Sequence, residues 1–162
     1  MSKSKFSAEE QQTLITLPWI AGAAVSECDK VGGAREEAKE GEALQSAVAA
    51  CFLHYQTKTK ENFSSNEAKA FDFEKAESLL AKAAEEALAL HASKDAANLD
   101  LYKKLVLEVS FGVAMAYGAG RGGKGPRVSD KELSMIKKIA DVLKATHLFE
   151  EVQKDAEAHA PK

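Results

Sequence analysis

The apolar positions Phe73, Ala76, Leu80, Ala83, Ala87 and Leu90 recur three or four residues apart, with charged residues between them. That spacing lays one apolar stripe along a helix and leaves the charges on a solvated face. The same helical pattern runs through the rest of the chain. "SAEE", at 7–10, is a capping box: the serine side chain accepts from the amide of Glu10, and the glutamate reaches back. The first helix extends to about Leu17. Pro18 then opens a second, "PWIAGAAVSECDK", because proline is tolerated at the first helical position, and Gly32 and Gly33 end it. A long helix is predicted from about Ala34 to Thr59. Its acidic start, "REEAKEGE", suits the positive end of the helix dipole, and its later half, "ALQSAVAACFLHY", is apolar enough for a core. "SSNE", at 64–67, is another capping box, opening a short helix that passes into the striped one.

From about Asp95 to Tyr117 the pattern gives a helix that is apolar on nearly all sides after Leu105, as a buried central helix should be. A glycine-rich segment follows. "SDKE", at 129–132, then caps a helix that buries Leu133, Ile136, Ala140 and Leu143, and "HLFEEVQKDAEAHA" forms a tail helix. No segment alternates apolar and polar residues between turn signals, so no sheet is expected. The predicted fold is a single all-α domain over 1–162, a bundle of about seven helices whose tail at 147–162 either docks or stays peripheral. The apolar helices at 18–29 and 105–118 should pack in its middle. Gly22, Gly32 and Gly33 recur as Gly112, Gly122 and Gly123 at one constant interval. Each set lies in a small-residue helix, a glycine turn and an acidic helix start, which suggests two pseudo-repeated helical hairpins.

Composition narrows the class. A length of 162 residues suits one domain with a core, and 45% hydrophobic with 29% charged residues is ordinary for a globular chain. A formal net charge of −3 argues against a nucleic-acid binder. The N-terminus has no apolar signal region, and the longest apolar stretches fall short of the roughly 20 residues a bilayer needs, so a cytoplasmic protein without a transmembrane segment is expected. Cys28 closes one predicted helix and Cys51 lies deep in the next. A hairpin turning at Gly32 and Gly33 would put Cys51 roughly 25 Å from that turn, too far for a disulfide or a shared metal with Cys28.

Chemical motifs are few. Within "AYGAGRGGKGPRVSDKE", Gly118, Gly120 and Gly123 fit one nucleotide-binding pattern, and Gly118, Gly123 and Lys124 fit most of another. Both need a strand before the glycines, and the second needs a hydroxyl where Gly125 stands. A long connector is the plainer reading, although Arg121, Lys124 and Arg127 give it cations that can attract an anion. None of His54, His91, His147 or His159 follows a glutamate by three, which disfavours a di-iron bundle. Cys51 and His54 share a helix face, and Glu108 is the lone charge in the apolar stretch 105–119. These three define one candidate site, an internal pocket for a small molecule or for catalysis. Trp19, Phe63, Phe71 and Phe73 have the character of packing anchors. The acidic residues at the two turns define another candidate: Glu27, Asp29, Glu36 and Glu37 at the first, Asp130 and Glu132 at the second. Oxygen-rich turns can hold a hard cation, and the same residues can simply cap their helices.

The order of these pieces resembles the tellurite-resistance TerB family, small all-helical proteins in which two apolar helices each run into an acidic turn and an acidic helix start. The pieces are "IAGAAVSECDKVGGAREEAKE", "FDFEKAESLLAKAAEEALAL" and "FGVAMAYGAGRGGKGPRVSDKELSMIKKIADVL", together most of residues 20–143. The family's turns carry an Asp-Gly pair; here Lys30 stands where that glycine would be, and Gly118 about where the second aspartate would be. The resemblance implies a non-enzymatic stress-response protein, linked to tellurite resistance. It would bind a divalent cation (calcium, magnesium or zinc) at its acidic interhelical turns, or act as a scaffold for a protein partner or a second copy.

Overall fold

The capping box at Ser7 closes in both directions: Ser7 N donates to Glu10 Oε1 at 2.8 Å, and Glu10 N donates to Ser7 Oγ at 3.2 Å. In the computed structural model, which describes residues 4–28, 34–63, 68–116 and 130–158, that box opens the helix α1 (Ala8–Cys28). There follow α2 (Ala34–Thr59), α3 (Ala76–Asp95), α4 (Leu99–Ala116), α5 (Asp130–Val142) and α6 (Thr146–Ala158). Single 3-10 turns at Phe73–Lys75 and Ala96–Asn98 precede α3 and α4. No strand occurs among the described residues, so the chain is all-helical there.

Pro18 does not begin a helix of its own. α1 runs unbroken through it, and the two helices expected on either side of Leu17 are one. A proline inside a helix withholds the amide that would bond the carbonyl four residues back, here that of Leu14. Tyr102 on α4 replaces it: its buried hydroxyl donates to Leu14 O at 2.7 Å. The described residues therefore hold six α-helices where about seven were expected. The capping boxes at 64–67 and at Ser129, and the glycine segment 117–129, lie outside the described residues.

α4 is the centre of the bundle. Leu105, Val106, Leu107, Val109, Phe111, Val113 and Ala114 are all buried, which matches its all-round apolar sequence. α1 packs on α3 and α4, α2 chiefly on α4, α5 on α1 and α4, and α6 on α4 and α5. α2 thus leans on α4 more than on α1, its neighbour in the chain. α3 buries Ala76, Leu80, Ala84, Ala87 and His91, with Ala83 and Leu90 half-buried. Phe73 leaves the expected stripe because it sits in the 3-10 turn before α3. It is 39% exposed and stacks on Phe71, with ring centroids 5.2 Å apart.

Two local features set the close packing. A methyl group at Gly22 would collide with Leu44 Cδ1 of α2 and press on Val113 and Val109 of α4, at 3.3 and 3.4 Å. α5 ends in a Schellman motif: Ala145 N donates to Ala140 O at 2.8 Å, and Lys144 N to Asp141 O at 3.1 Å. Lys144 takes the left-handed position, φ 56°. The reversal lays α6 against α4, where Leu148, Phe149 and Val152 are buried and Phe149 meets Phe111 at 5.5 Å. Lys104 pairs with Glu151 at 3.0 Å. The tail, expected either to dock or to fray, is helical to Ala158 and docks through Leu148, Phe149 and Val152.

Candidate functional site

Where the last turn of α1 meets the first turn of α5, Cys28 Sγ donates to Val25 O at 3.1 Å within its own helix and lies 3.6 Å from Lys131 O. The end of α1 and the start of α5, about a hundred residues apart in the chain, therefore approach each other. Glu27 and Glu132 are half-buried, and Asp130 is exposed at the start of α5, where its charge suits the helix dipole. Glu36 and Glu37 belong to the first turn of α2, but their side chains, like the whole of Asp29, lie outside the described residues. Among the described residues alone, no three His, Cys, Asp or Glu side chains are grouped to hold a metal ion.

The second candidate lies between α2 and α4. Cys51 is half-buried and His54 exposed, both on α2, and each interacts electrostatically with the half-buried Glu108 of α4. The structure thus brings together the three residues singled out in the sequence. Burial pushes the Cys51 thiol up to about 12, and the Glu108 charge adds to this. Burial likewise raises Glu108, partly offset by His54 and Lys58. A thiol so disposed is protonated at neutral pH, and neither attacks an electrophile nor ligates a metal readily. Both cysteines are free thiols.

A third cluster was not anticipated. His91 of α3 is fully buried among Phe6, Tyr55 and Tyr102. Its Nε2 shares a 2.7 Å hydrogen bond with the Tyr55 hydroxyl, while Nδ1 is buried with no hydrogen-bond partner. Its ring stacks on Tyr102 at 5.0 Å, so the hydroxyl that satisfies Leu14 and this histidine belong to one aromatic layer. One turn along α3, the buried Asp95 pairs with Lys5 at 3.3 Å and accepts from Asn98 Nδ2 at 2.9 Å. Burial holds His91 below the usual imidazole range, against the pull of the Asp95 carboxylate. Burial acts to raise Asp95, but Asn98 and Lys5 outweigh it and leave the carboxyl below its ordinary value. No His-containing motif marks this site in the sequence. The available signal was the i, i+4 pair His91 and Asp95 on one face of a helix.

No protein family, no curated protein and no solved structure matches the chain.

Proposed function

We propose that this protein is a non-catalytic, TerB-like stress-resistance protein of the cytoplasm that holds a divalent cation where the ends of α1 and α5 meet. The observation that carries this reading is the approach of Cys28 to Lys131, since it gathers two acidic turns that are remote in sequence into one region. Glu27, Asp130 and Glu132 supply carboxylates from the two sides. Asp29, next after Cys28, with Glu36 and Glu37 in the first turn of α2, would complete an oxygen-rich set of the kind that hard cations such as calcium and magnesium prefer. The cation would tie the two helix ends together. Bound to a partner protein or a second copy, the same end would serve as a scaffold.

The same proposal treats the bundle as two pseudo-repeated hairpins. Gly22 and Gly112, matched positions of the repeat, both face α2 closely; a methyl group at Gly112 would lie 3.2 Å from Ala47 Cβ. A small-molecule site between α2 and α4 is the second reading, supported by the electrostatic coupling of Cys51 and His54 to Glu108. The protonated thiol confines that reading to non-covalent binding.

Calorimetric titration with calcium, magnesium and zinc tests the cation reading. Wild-type protein at micromolar concentration gives a saturable heat with at least one ion. Asp29→Ala and Glu132→Ala, one from each turn, each weaken it. No heat in the wild type removes the cation from the proposal, and loss in only one variant confines the site to one turn.

A further inference from the structure

Residues 4–7 cross over the buried His91 and are held there by few ties. Ser4 Oγ donates to Glu61 Oε2 at 2.6 Å, and Lys5 N to the same carboxylate at 3.3 Å. Lys5 Nζ reaches Asp95 at 3.3 Å while its side chain stays 55% exposed. Phe6 is 2% exposed; its ring lies 5.4 Å from His91 and 6.1 Å from Phe63, and its carbonyl accepts from Gln11 Nε2 at 3.0 Å. Against His91 stand Phe6 before α1, Tyr55 on α2 and Tyr102 on α4, with the Asp95 carboxylate on α3 itself and that of Glu61 beyond α2 acting on it electrostatically; Lys5, Gln11 and Phe63 touch these neighbours in turn. Nearby, Lys94 pairs with Glu10 at 2.7 Å on the exposed side.

We propose that residues 4–7 form a pH-gated strap, closed over neutral His91 and released when His91 takes a proton. In the closed state one ring nitrogen is engaged by Tyr55 and the other has no partner. A proton arriving from water at His91 would create a buried cation with an unmet donor, which is costly. Release of the strap admits water to the ring. It also frees Asp95, four residues along the same helix face, to pair with the imidazolium in place of Lys5. Three of these neighbours are shifted away from the His91 range. Tyr55 and Tyr102 are raised by burial, and Asp95 is held below its ordinary value against burial by Asn98 and Lys5. The strap opens ahead of the whole fold because one ion pair, one buried ring and a handful of hydrogen bonds hold it.

The sign follows from linkage. Burial lowers His91 in the closed state from an ordinary value of 6.5, so the open state binds the proton better. Closure is favoured most above that value and weakens as pH falls below it. The opening equilibrium therefore grows by up to about tenfold between pH 7.5 and pH 5.5. Amide hydrogen exchange by NMR on the full chain reads this directly. After correction for intrinsic exchange, protection of the Lys5 and Phe6 amides falls severalfold, by up to about tenfold, over that interval, while Leu107 and Val109 in α4 keep theirs. In His91→Gln, which keeps a hydrogen-bonding group for Tyr55 without a titrating ring, the fall is absent. In the wild type alone, the amide transition and the titration of the His91 ring share one midpoint. A change under twofold, an equal fall in α4, the same fall in His91→Gln, or two separate midpoints would each overturn the proposal.

Discussion

Replacing Tyr102 by Phe keeps an aromatic ring in place but removes the one hydroxyl that donates to Leu14 O. Pro18 has no amide to offer in its stead, so the variant leaves a buried carbonyl without a donor. The cost of such an unsatisfied acceptor is about 1–3 kcal/mol. The ring contacts with Tyr55, at 6.1 Å, and His91, at 5.0 Å, survive the change and so cancel from the comparison. The decisive step is a second substitution. Pro18→Ala restores a backbone amide four residues after Leu14, and in that background Tyr102→Phe has little left to remove. The double-mutant cycle therefore gives a coupling of about 1–2 kcal/mol, with the double variant more stable than the singles predict. Urea unfolding followed by circular dichroism measures it. With a slope of about 2 kcal/mol per molar urea, Tyr102→Phe alone lowers the midpoint by about 0.5–1.5 M. An additive cycle, or a single-variant cost below about 0.5 kcal/mol, refutes the claim that the tyrosine compensates the proline.

Gly22→Ala forces Leu44 and the α1–α2 crossing to shift and destabilises by about 1–3 kcal/mol, whereas Gly112→Ala costs less because only Ala47 Cβ stands near it; thermal unfolding of the two variants orders them. Lys144→Gly relieves a left-handed backbone position and raises stability by up to about 1 kcal/mol, again read from denaturant midpoints. Cys51, with its thiol pushed up to about 12 from an ordinary 9.0, carries about a thousandfold less thiolate than an exposed cysteine, so a thiol reagent at pH 8 labels it slowly until the protein unfolds. Because burial outweighs the Glu108 charge, Glu108→Gln leaves that labelling nearly unchanged; a large acceleration would mean that the carboxylate dominates.

What could be read from the sequence was local, and what could not was tertiary. The box at Ser7 and Glu10 needs only four residues to specify, and α2 runs over the predicted Ala34 to Thr59 because its start and stop signals are contiguous. The all-round apolar run after Leu105 announced the central helix for the same reason. Pro18 was misplaced because its compensation comes from Tyr102, on another helix 84 residues away, and a proline without such a donor does end or start a helix. The acidic residues at the two turns were recognisable, but their approach depends on how α1 packs on α5, and no local pattern encodes that. The His91 cluster was missed because, apart from the His91 and Asp95 pair on α3, its members arrive singly from different elements. Single histidines and tyrosines without spacing carry no motif.

Manganese titration followed by NMR line broadening tests the cation proposal most directly, since a paramagnetic ion reports where it sits. If the ends of α1 and α5 hold one ion between them, the amides of Glu27 and Cys28 and those of Asp130 and Lys131 broaden together at substoichiometric manganese, and excess magnesium or calcium reverses both. Broadening at one end only, at exposed carboxylates throughout the surface, or nowhere at all would contradict the account.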